Sequence, residues 1–462
     1  MSMQDCCAVI LAAGEGKRMK STRPKVLCEV LFEPMLGWTL SSCGEAGLEH
    51  CCVVVGNRAQ KVVDYIGNTP YRYQKEQKGT AHALVSAIDF VKQFDGEDLL
   101  VLYGDSPFID AQTIQDSYRL HKESNYAVTV ITACVDNPYG YGRIIRKNGM
   151  LSEIVEEKNA TQEQRQIHEI NSGTYWFSIA SVLNVLDKIQ PNPVNGEYYL
   201  TDAIALLIEQ GGRAGIYQSP DPQIVLGAND QMGLTKLNEI ARIKILQKHM
   251  ENGVFFVSTD GVVIAPDVRI GAGTQILPGT ILKDGSIIGK DCVIGPNTLI
   301  AQSKVKDRTT VNASQVYQSV IKEDVKIGPF CHIRPNSQID EHVKIGDFVE
   351  VKNSTVGAGT AISHLTYIGD SDVGKNVNFG CGVVTVNYDG VHKNRCKIDD
   401  GAFIGCNTNL IAPVHVGEDS YTAAGSTITE DVPGGDLGIA RARQKNIVGF
   451  SKKKLKGRKK KV

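Results

Sequence analysis

The sequence predicts two domains of different architecture: an α/β domain with a Rossmann-like, mostly parallel sheet, then a left-handed parallel β-helix of hexapeptide repeats. Three observations carry this prediction. The chain has 462 residues, which is too long for one ordinary domain. Its first half alternates strand-like and helix-like segments, whereas its second half has a six-residue period. We expect the α/β domain over 1–230, a helical linker over 231–252, the β-helix over 253–450 and a basic tail over 451–462.

The first half alternates short apolar runs with amphipathic segments. Buried strands are predicted at 7–11, 51–55 and 98–102, and helices at 58–66 and 80–94. Strands that alternate with helices indicate an α/β domain with a largely parallel sheet.

The second half repeats an aliphatic residue at every sixth position, in a register that shifts and then resumes. The positions are Ile270, Ile276, Leu282, Ile288, Ile294, Ile300, Ile327, Ile333, Ile339, Ile345, Val351, Val356, Ile362, Ile368, Ile398, Ile404, Leu410, Val416, Thr422 and Ile428. This period is typical of a parallel β-helix, in which each aliphatic side chain stacks on its equivalent in the next coil.

Two segments stand outside these patterns. Apolar residues from Leu234 to Ile245 recur at helical spacing, which predicts one long helix between the domains. Residues 387–396 interrupt the hexapeptide register. A loop that leaves a regular solenoid is a common place for function, so we expect a site there.

Composition narrows the classes of function. Lys plus Arg number 50 and Asp plus Glu number 51, a balance that argues against nucleic acid as a partner. No apolar stretch is long enough to cross a membrane, and no export signal is recognised, so we expect no membrane insertion. The 12 cysteines have no C-x-x-C spacing, which favours free thiols in a cytoplasmic enzyme.

The segment 11–19 reads LAAGEGKRM and follows the first predicted strand. Gly14 and Gly16 allow the backbone to approach phosphate oxygens, and Arg18 and Lys25 could neutralise a departing pyrophosphate. A lone G-x-G is weak evidence, because it is more often a turn. The third glycine of the dinucleotide motif and the phosphate-binding loop G-x-x-x-x-G-K-[ST] are both missing.

Asp105 follows the predicted strand at 98–102 as Gly14 follows the strand at 7–11. Both residues should therefore lie at the carboxyl edge of the sheet, where α/β proteins bind ligands. A carboxylate there is a good Mg²⁺ ligand beside phosphates. The alternative for Asp105 alone is a helix cap or a turn.

Motifs of both halves together resemble a known family. They are LAAGxGxRM with a following PK, then GTAHA, YGD, GYGR, VEEK, EINSG, GEYYLTD, HLTYIGD and NYDG. The first seven resemble the sugar-1-phosphate nucleotidylyltransferases. With the hexapeptide repeats, residues 6–448 resemble the bifunctional N-acetylglucosamine-1-phosphate uridyltransferase / glucosamine-1-phosphate acetyltransferase family.

The resemblance implies one site in the α/β nucleotidyltransferase domain, with UTP as co-substrate. Gln74, Gly79 and Thr80 would read uracil, and Asp105 with Asn229 would hold Mg²⁺. Arg18 and Lys25 would act in catalysis. The complete set of residues implied to bind UTP or UDP-N-acetylglucosamine is Leu11, Ala12, Ala13, Gly14, Lys25, Gln74, Gly79, Thr80, Tyr103, Gly104, Asp105, Gly142, Glu156, Asn171, Thr201 and Asn229.

The second site would transfer an acetyl group on the β-helix. His364 is the candidate base, because imidazole titrates near working pH, although a lone histidine is more often structural. The family implies that Glu350 orients His364 and that Asn387 polarises the thioester carbonyl. The residues implied to bind the amino sugar are Arg334, Glu350, Lys352, Tyr367 and Asn378. Those implied to bind acetyl-CoA are Cys381, Asn387, Tyr388, Cys406, Ala424 and Arg441.

Cys381 and Cys406 depart from the family pattern, which usually has Ala and Ser there. They are either small buried hydrophobes or residues that face the CoA groove. The family also implies a homotrimer with an acetyl site shared between neighbouring coils.

Two alternatives remain at this point. One is a monofunctional nucleotidylyltransferase with a regulatory β-helix, which His364 and the NYDG loop argue against. The other is a non-catalytic scaffold, in which Arg18, Lys25, Asp105 and Asn229 would have no reason to occur together.

Overall fold

The computed structural model describes residues 3–193, 196–452 and 454, and it divides into two compact units between Ile243 and Lys244. The predicted basic tail at 451–462 lies outside the described residues, apart from 451, 452 and 454. Each unit is described by itself.

The first unit has the predicted α/β architecture. Its strands are β1 Cys6–Ala12, β2 Glu29–Val30, β3 Glu33–Pro34, β4 His50–Val55, β5 Tyr71–Tyr73, β6 Asp98–Tyr103, β7 Val128–Cys134, β8 Arg143–Lys147, β9 Met150–Val155, β10 Glu169–Ser178 and β11 Ala214–Gln218. Its helices are α1 Met35–Ala46, α2 Ala59–Ile66, α3 Thr80–Ser86, α4 Ile88–Gln93, α5 Ala111–Glu123, α6 Ile179–Leu183 and α7 Leu200–Glu209, and the longer α8 Gln231–Glu251 contains the division between the units. Short 3-10 helices lie at Lys17–Met19, Lys25–Leu27, Gln164–Gln166, Leu186–Lys188 and Pro222–Val225.

The main sheet has the order β11-β7-β10-β6-β1-β4-β5, with the β8–β9 hairpin attached to β10. β1 pairs in parallel with β4 and β6, and β10 runs antiparallel to β6 and β7. Alternate residues of β1 enter two different apolar cores, one that includes Val9 and one that includes Ile10. A central strand buried on both faces needs an uninterrupted apolar run, which explains why segment 7–11 has no polar residue.

The sequence-predicted strands are confirmed, and both predicted helices differ in their bounds. Segment 80–94 forms two helices, α3 and α4, because the backbone leaves helical geometry at Ala87 (φ −102°, ψ 10°). The predicted helix at 58–66 begins at Ala59, since Arg58 adopts a left-handed conformation (φ 55°).

The parallel register brings the ends of three strands to one edge. Leu11 is opposite Tyr103 and Ala12 is opposite Val55, so the segments after β1, β4 and β6 leave the sheet together. A Cβ on Gly56, directly after β4, would lie 2.6 Å from the carbonyl oxygen of Ala13. Glycine at 56 therefore lets two of these segments approach each other closely.

The second unit is the left-handed parallel β-helix that the six-residue period predicts. Its strands form three parallel sheets. In the described residues the first face contains Phe255–Phe256, Gln275–Ile276, Val293–Ile294, Thr310–Val311, Lys326–Ile327, Lys344–Asp347, Ala361–His364, Asn378–Phe379, Phe403–Ile404, Tyr421–Thr422 and Leu437–Gly438.

The other two faces complete each coil. The second face contains Val263–Ile264, Ile281–Lys283, Leu299–Ala301, Gln315–Tyr317, His332–Ile333, Glu350–Lys352, Tyr367–Gly369, Val384–Val386, Asn409–Ile411 and Thr427–Ile428. The third face contains Arg269–Ile270, Ile287–Ile288, Lys304–Val305, Val320–Ile321, Gln338–Ile339, Thr355–Val356, Ser371–Val373, Cys396–Ile398 and Val414–Val416.

The aliphatic residues of the repeat point inward and are buried, as Ile294, Ile333 and Ile404 show, each with no exposed surface. Many corners have left-handed backbone, which is why Asn and Asp recur there, for example Asn353 (φ 47°) and Asp370 (φ 48°). The coil thus fixes which side chains point outward, and at which level, along each face.

Candidate active sites

A cavity of about 1200 Å³ opens at the carboxyl edge of the first unit's sheet. This is where the ends of β1 and β6 predict a ligand. The sequence-predicted residues that line it are Leu11, Ala12, Ala13, Gly14, Lys25, Gln74, Gly79, Thr80, Tyr103 and Asp105.

The glycine-rich segment forms one wall of this cavity. A Cβ on Gly14 would meet no protein atom within 4 Å, so the space beside its backbone is open. Gly16 has φ +62°, and a Cβ there would lie 2.6 Å from the Cβ of Lys25. Glycine at 16 therefore allows the turn that brings Lys25 against the segment.

Two glutamines, Gln74 and Gln77, also line the cavity. Gln74 is 6 % exposed, and its Nε2 donates to the carbonyl oxygen of Gly79 at 3.0 Å. This bond fixes the amide of Gln74 beside the cavity. Gln77, which sequence reasoning missed, donates its Nε2 to the carbonyl oxygen of Ala13 at 2.9 Å. It ties the glycine-rich segment to the loop before α3, and nothing in its local sequence marks it.

Lys25 lies between the two predicted metal ligands. Its Nζ is 2.5 Å from Oδ2 of Asp105 and 2.7 Å from Oδ1 of Asn229. Together with Arg18 these residues line a neighbouring cavity of about 300 Å³. An ammonium that contacts both oxygens shows that this position attracts a cation.

These oxygen donors fit Mg²⁺, which prefers one or two protein oxygens and completes its shell with phosphates and water. Among the residues that the structure describes, no cluster of three or more His, Cys, Asp or Glu side chains could hold a metal ion. Asp105 and Asn229 would therefore share the ion with a phosphate ligand.

The remaining predicted residues of this unit do not line either cavity. Gly142, Glu156 and Asn171 lie together: a Cβ on Gly142 would be 3.5 Å from Oε1 of Glu156 and 3.6 Å from Cβ of Asn171. Gly104 donates its N–H to the carbonyl oxygen of Leu11 at 3.0 Å, which fixes it at the sheet edge. Thr201 lies in the first turn of α7.

Tyr103 connects this cluster to the large cavity. It lines the cavity, and its ring occupies the place where a Cβ on Gly173 would be. Burial raises the pKa of Glu156, and the nearby Asp202 raises it further. Burial also raises the pKa of Asp202, which sequence reasoning missed. These carboxyl groups give the cluster an acceptor-rich, poorly solvated character that suits sugar hydroxyls.

On the β-helix, four predicted residues form one patch on the outside of the second face. Arg334 Nη1 lies 2.7 Å from Oε1 of Glu350, and Glu350 is opposite Tyr367 in the ladder. Lys352 Nζ lies 3.4 Å from Oδ2 of Asp370. Two cations and a phenol on one outward surface can bind a sugar phosphate.

His364 lies elsewhere, at the exposed end of a strand of the first face, opposite Asp347. Asn378 is on the same face one coil later, opposite Ala361. Glu350 is bonded to Arg334, and no hydrogen bond joins it to His364 in the described part of the chain. The two residues belong to different faces of the coil, and the expected role of Glu350 in orienting His364 stays a prediction.

The predicted acetyl-CoA residues follow one corner. The N–H of Asn407 donates to the carbonyl oxygen of Cys381, and the N–H of Gly425 donates to that of Cys406, each at 2.8 Å. Cys381, Cys406 and Ala424 thus stack in successive coils. Arg441 is adjacent, since a Cβ on Gly425 would lie 3.8 Å from its Cδ.

The two cysteines of this corner are not buried. Cys406 is exposed and Cys381 is partly exposed, whereas Cys292, Cys331 and Cys396 of the same unit are buried. The alternative that Cys381 and Cys406 are both buried hydrophobes is therefore wrong.

The interruption at 387–396 is a loop between strands of the second and third faces. Tyr388 and Lys393 form an isolated antiparallel bridge within it, and Tyr388 donates its hydroxyl to the carbonyl oxygen of Gly390 at 2.6 Å. Lys393, missed from the sequence, lies close enough to Lys352 for that lysine to lower its pKa. Asn387 Nδ2 lies 3.5 Å from the hydroxyl of Tyr367, which places the loop beside the second-face patch.

Among the described residues no helix is long and apolar enough to cross a membrane.

Comparison with family models agrees with both folds. The model described as MobA-like NTP transferase domain matches residues 8–173. The model described as bacterial transferase hexapeptide (six repeats) matches residues 267–302, and the GMPPB C-terminal domain model matches residues 315–410.

Comparison with curated proteins gives relatives over almost the whole chain. A bifunctional protein GlmU of Acetivibrio thermocellus is 48 % identical over 444 residues, covering 96 % of each chain. A bifunctional protein GlmU of Geobacillus sp. (strain WCH70) is 48 % identical over 441 residues, covering 95 % of this chain and 96 % of the relative. A bifunctional protein GlmU of Clostridium novyi is 46 % identical over 450 residues, covering 97 % and 98 %. The similarity therefore includes both units.

Proposed function

The chain belongs to the family of the bifunctional GlmU proteins, and we propose that it acetylates glucosamine-1-phosphate with acetyl-CoA and then transfers UMP from UTP to the product. It is a bifunctional transferase with acetyltransferase and uridyltransferase activity. The observation that carries this conclusion is the 46–48 % identity to bifunctional relatives over both units. The products are UDP-N-acetylglucosamine, pyrophosphate and CoA.

Uridylyl transfer takes place in the cavity at the sheet edge. The backbone at Gly14 binds phosphate oxygens, because a side chain is absent and the adjacent space is open. Asp105 and Asn229 would hold Mg²⁺, which supplies neutralisation of the triphosphate charge. Arg18 and Lys25 line the smaller cavity, where they stabilise the pyrophosphate as it leaves.

Gln74, Gly79 and Thr80 receive the uracil, and Tyr103 stands between the nucleotide and the cluster of Gly142, Glu156 and Asn171, which receives the sugar. In this arrangement a sugar phosphate oxygen attacks the α-phosphorus in line. Positioning and charge neutralisation then provide most of the rate, with no covalent intermediate.

Acetyl transfer takes place on the β-helix. His364 accepts a proton as the substrate amine attacks the thioester carbonyl. Arg334 and Lys352 hold the sugar phosphate, and Tyr367 and Asn378 line the sugar. Acetyl-CoA lies along the corner of Cys381, Cys406, Ala424 and Arg441, and Asn387 and Tyr388 of the inserted loop also bind it.

We propose a homotrimer whose acetyl sites lie between neighbouring coils. His364 and Glu350 lie on different faces of one chain, and no hydrogen bond joins them in its described part, so a neighbouring chain can contribute to the site. Directly beside His364, Phe330, Phe348 and Leu365 are 59–60 % exposed, and the two phenyl rings stack with centroids 5.3 Å apart. An exposed apolar row of this kind is stabilised by covering it with another protein surface.

The product serves as a precursor for peptidoglycan and lipopolysaccharide in this proposal, and the enzyme works in the cytoplasm. Its partners are small molecules: glucosamine-1-phosphate, acetyl-CoA and UTP. The monofunctional alternative is less supported, because the relatives are bifunctional proteins that match the β-helix as well.

One coupled assay tests the function. The full chain is given glucosamine-1-phosphate, acetyl-CoA, UTP and MgCl₂, and both CoA and pyrophosphate are followed. We expect both products, and pyrophosphate should require acetyl-CoA unless N-acetylglucosamine-1-phosphate is supplied. Pyrophosphate without any CoA would favour the monofunctional enzyme, and tight UTP binding with neither product would favour a scaffold.

A further inference from the structure

Asp370 is a buried carboxylate at the base of the inserted loop, with 4 % of its surface exposed. It accepts hydrogen bonds from Nδ2 of Asn353 and from Nδ2 of Asn387, and Nζ of Lys352 lies 3.4 Å away. Neither the nucleotide site nor the predicted sugar and acetyl-CoA contacts include it. Yet Lys352 and Asn387, two of its partners, belong to the acetyl-transfer site.

Asp370 determines which way the Asn387 amide faces. Burial is the largest influence on the pKa of Asp370 and raises it, but the bonds from Asn353 and Asn387 and the charge of Lys352 outweigh burial and lower this pKa. The ionised carboxylate can only accept hydrogen bonds. The NH₂ group of Asn387 must therefore face Asp370, and the carbonyl oxygen must face away.

Asn387 is 8 % exposed, and no hydrogen bond within the described residues uses its Oδ1 atom. Among the described residues, Arg143 Nε is the one fully buried side-chain nitrogen or oxygen that has no hydrogen-bond partner. Because Oδ1 of Asn387 also has no partner, it must keep some exposed surface. The hydrogen bonds of the Asn387 side chain use Nδ2, towards Asp370 and Tyr367. Oδ1 is thus an acceptor at the edge of the patch that holds Lys352 and Tyr367.

Asp370 also bonds to the residues at which the loop begins and ends. Its carbonyl oxygen accepts from the N–H of Cys396 at 3.2 Å, where the next strand begins. The N–H of Asn394 donates to the carbonyl oxygen of Asn387 at 2.8 Å. Asp370 therefore contacts both ends of the loop. Its side chain bonds to Asn387 at the start, and its backbone carbonyl bonds to Cys396 at the end.

A simpler explanation is that Asp370 is present because the corner has left-handed backbone (φ 48°). Asn353 occupies the preceding corner with φ 47°, and the N–H of Asp370 bonds to the carbonyl oxygen of Lys352 beside it. Asparagine therefore satisfies this backbone equally well. What aspartate adds at 370 is an acceptor-only carboxylate.

We infer that Asp370 is a positioning residue for acetyl transfer, which turns the carbonyl oxygen of Asn387, and not its N–H, towards the amine of the substrate. This inference rests on the proposed function. The amine donates one N–H to Oδ1 of Asn387 and gives another proton to His364 as its nitrogen bonds to the acetyl carbon. The C–S bond breaks, and the departing CoA thiolate receives a proton from His364. Asn387 then orients the nucleophile, which replaces its expected role in polarising the thioester carbonyl.

The test compares three variants of the full chain: Asp370→Asn, the exchange Asp370→Asn with Asn387→Asp, and Asp372→Asn. Asp372 is the matched control, because it lies two residues further along, in the strand that follows, and pairs with Arg395. CoA release is measured over a range of glucosamine-1-phosphate concentrations. Pyrophosphate release from UTP and N-acetylglucosamine-1-phosphate is the control for intact protein.

We expect Asp370→Asn to lower kcat for CoA release about 100-fold, because an amide at 370 lets Asn387 turn, while KM changes little. The exchange variant should regain about 10-fold, because the carboxylate now at position 387 again presents only acceptors to the amine, while the amide at position 370 donates. Asp372→Asn should stay within about 3-fold of the wild type. The split between kcat and KM and the rescue would not follow from a purely structural role.

Two results would overturn the inference. Asp370→Asn with a nearly normal kcat would show that the carboxylate does not position Asn387. An exchange variant slower than Asp370→Asn would favour an Asn387 N–H that stabilises the oxyanion, since a carboxylate there would repel it. If Asp370→Asn does not fold, the exchange variant alone decides. An exchange variant that folds but releases no CoA would contradict the inference. A wild type that releases no CoA would instead refute the proposed function.

Discussion

The two units build their sites in opposite ways. The two neighbouring cavities of the first unit gather short segments that are far apart in the chain, from Leu11 to Asn229, at one edge of a sheet. The residues proposed for acetyl transfer come from successive coils; His364 among them is exposed, as is its neighbour Leu365. A cavity within one unit can hold its ligand without a partner, whereas an open coil surface fits the proposed homotrimer, in which a neighbouring chain would complete the site. The two activities should therefore respond separately to mutation and differently to dissociation.

The largest effect is expected from Asp105→Ala. Pyrophosphate release should fall by at least about 1000-fold, because the proposed Mg²⁺ site would lose its carboxylate ligand and Lys25 loses its ion-pair partner. CoA release from the same preparation should stay near normal. Both rates are measured with the full chain. Asp116→Ala is the matched control, since Asp116 pairs with Arg119 on α5, outside both cavities. Loss of both activities in folded protein would contradict the separation of the sites.

His364→Ala should have the converse effect. CoA release should fall about 100- to 1000-fold without a general base, while pyrophosphate release from ready-made N-acetylglucosamine-1-phosphate continues. His342→Asn is a suitable control, because His342 is exposed at another left-handed corner, which asparagine tolerates. If CoA release fell equally in both histidine variants, the cause would be damage to the coil and not the loss of a general base.

In the β-helix, the positions of side chains were more predictable from the sequence than in the α/β unit, but the contacts between those side chains were less predictable. The six-residue period assigns Ile333, Val351 and Ile368 to the core, and therefore their neighbours Arg334, Lys352 and Tyr367 to the outside. It cannot tell which outward groups pair, because pairing depends on side-chain reach across the coils. The Arg334–Glu350 and Asp370–Asn387 contacts were therefore not predicted.

In the α/β unit the strand ends were predictable, and with them the positions of Gly14 and Asp105. Gln77 was not, because its contact with Ala13 joins segments that only the tertiary fold brings together. Lys25 was expected to face phosphate. Its position between Asp105 and Asn229 depends on distances that no local pattern encodes.

The position of Lys25 leads to a third prediction, for metal binding without nucleotide. In the wild type a divalent ion must displace the Lys25 ammonium from Asp105 and Asn229. Lys25→Met should therefore bind Mn²⁺ about 10-fold more tightly, as measured by titration calorimetry without nucleotide. Lys61→Met is the control, since Lys61 contacts the carbonyl oxygen of Thr22 outside the cavities. Unchanged affinity in Lys25→Met would show that the ammonium does not compete with the metal.

The smallest effect is expected from thiol modification, and it sharpens the contrast between the units because each has an exposed cysteine. Cys406 is exposed at the acetyl-CoA corner and Cys134 is exposed in the first unit. Burial raises the pKa of Cys331 and of Cys396 to about 11, so these thiols should react slowly.

A small alkylating agent should then lower CoA release about 2- to 5-fold and spare pyrophosphate release, because an added group narrows the groove without removing His364. Saturating acetyl-CoA should protect, more at Cys406 than at Cys381, and peptide mass spectrometry locates the adducts. The Cys406→Ser variant should lose most of the sensitivity, whereas Cys134→Ser should keep it. Labelling at Cys406 that acetyl-CoA does not slow would place the cofactor on another surface of the coil.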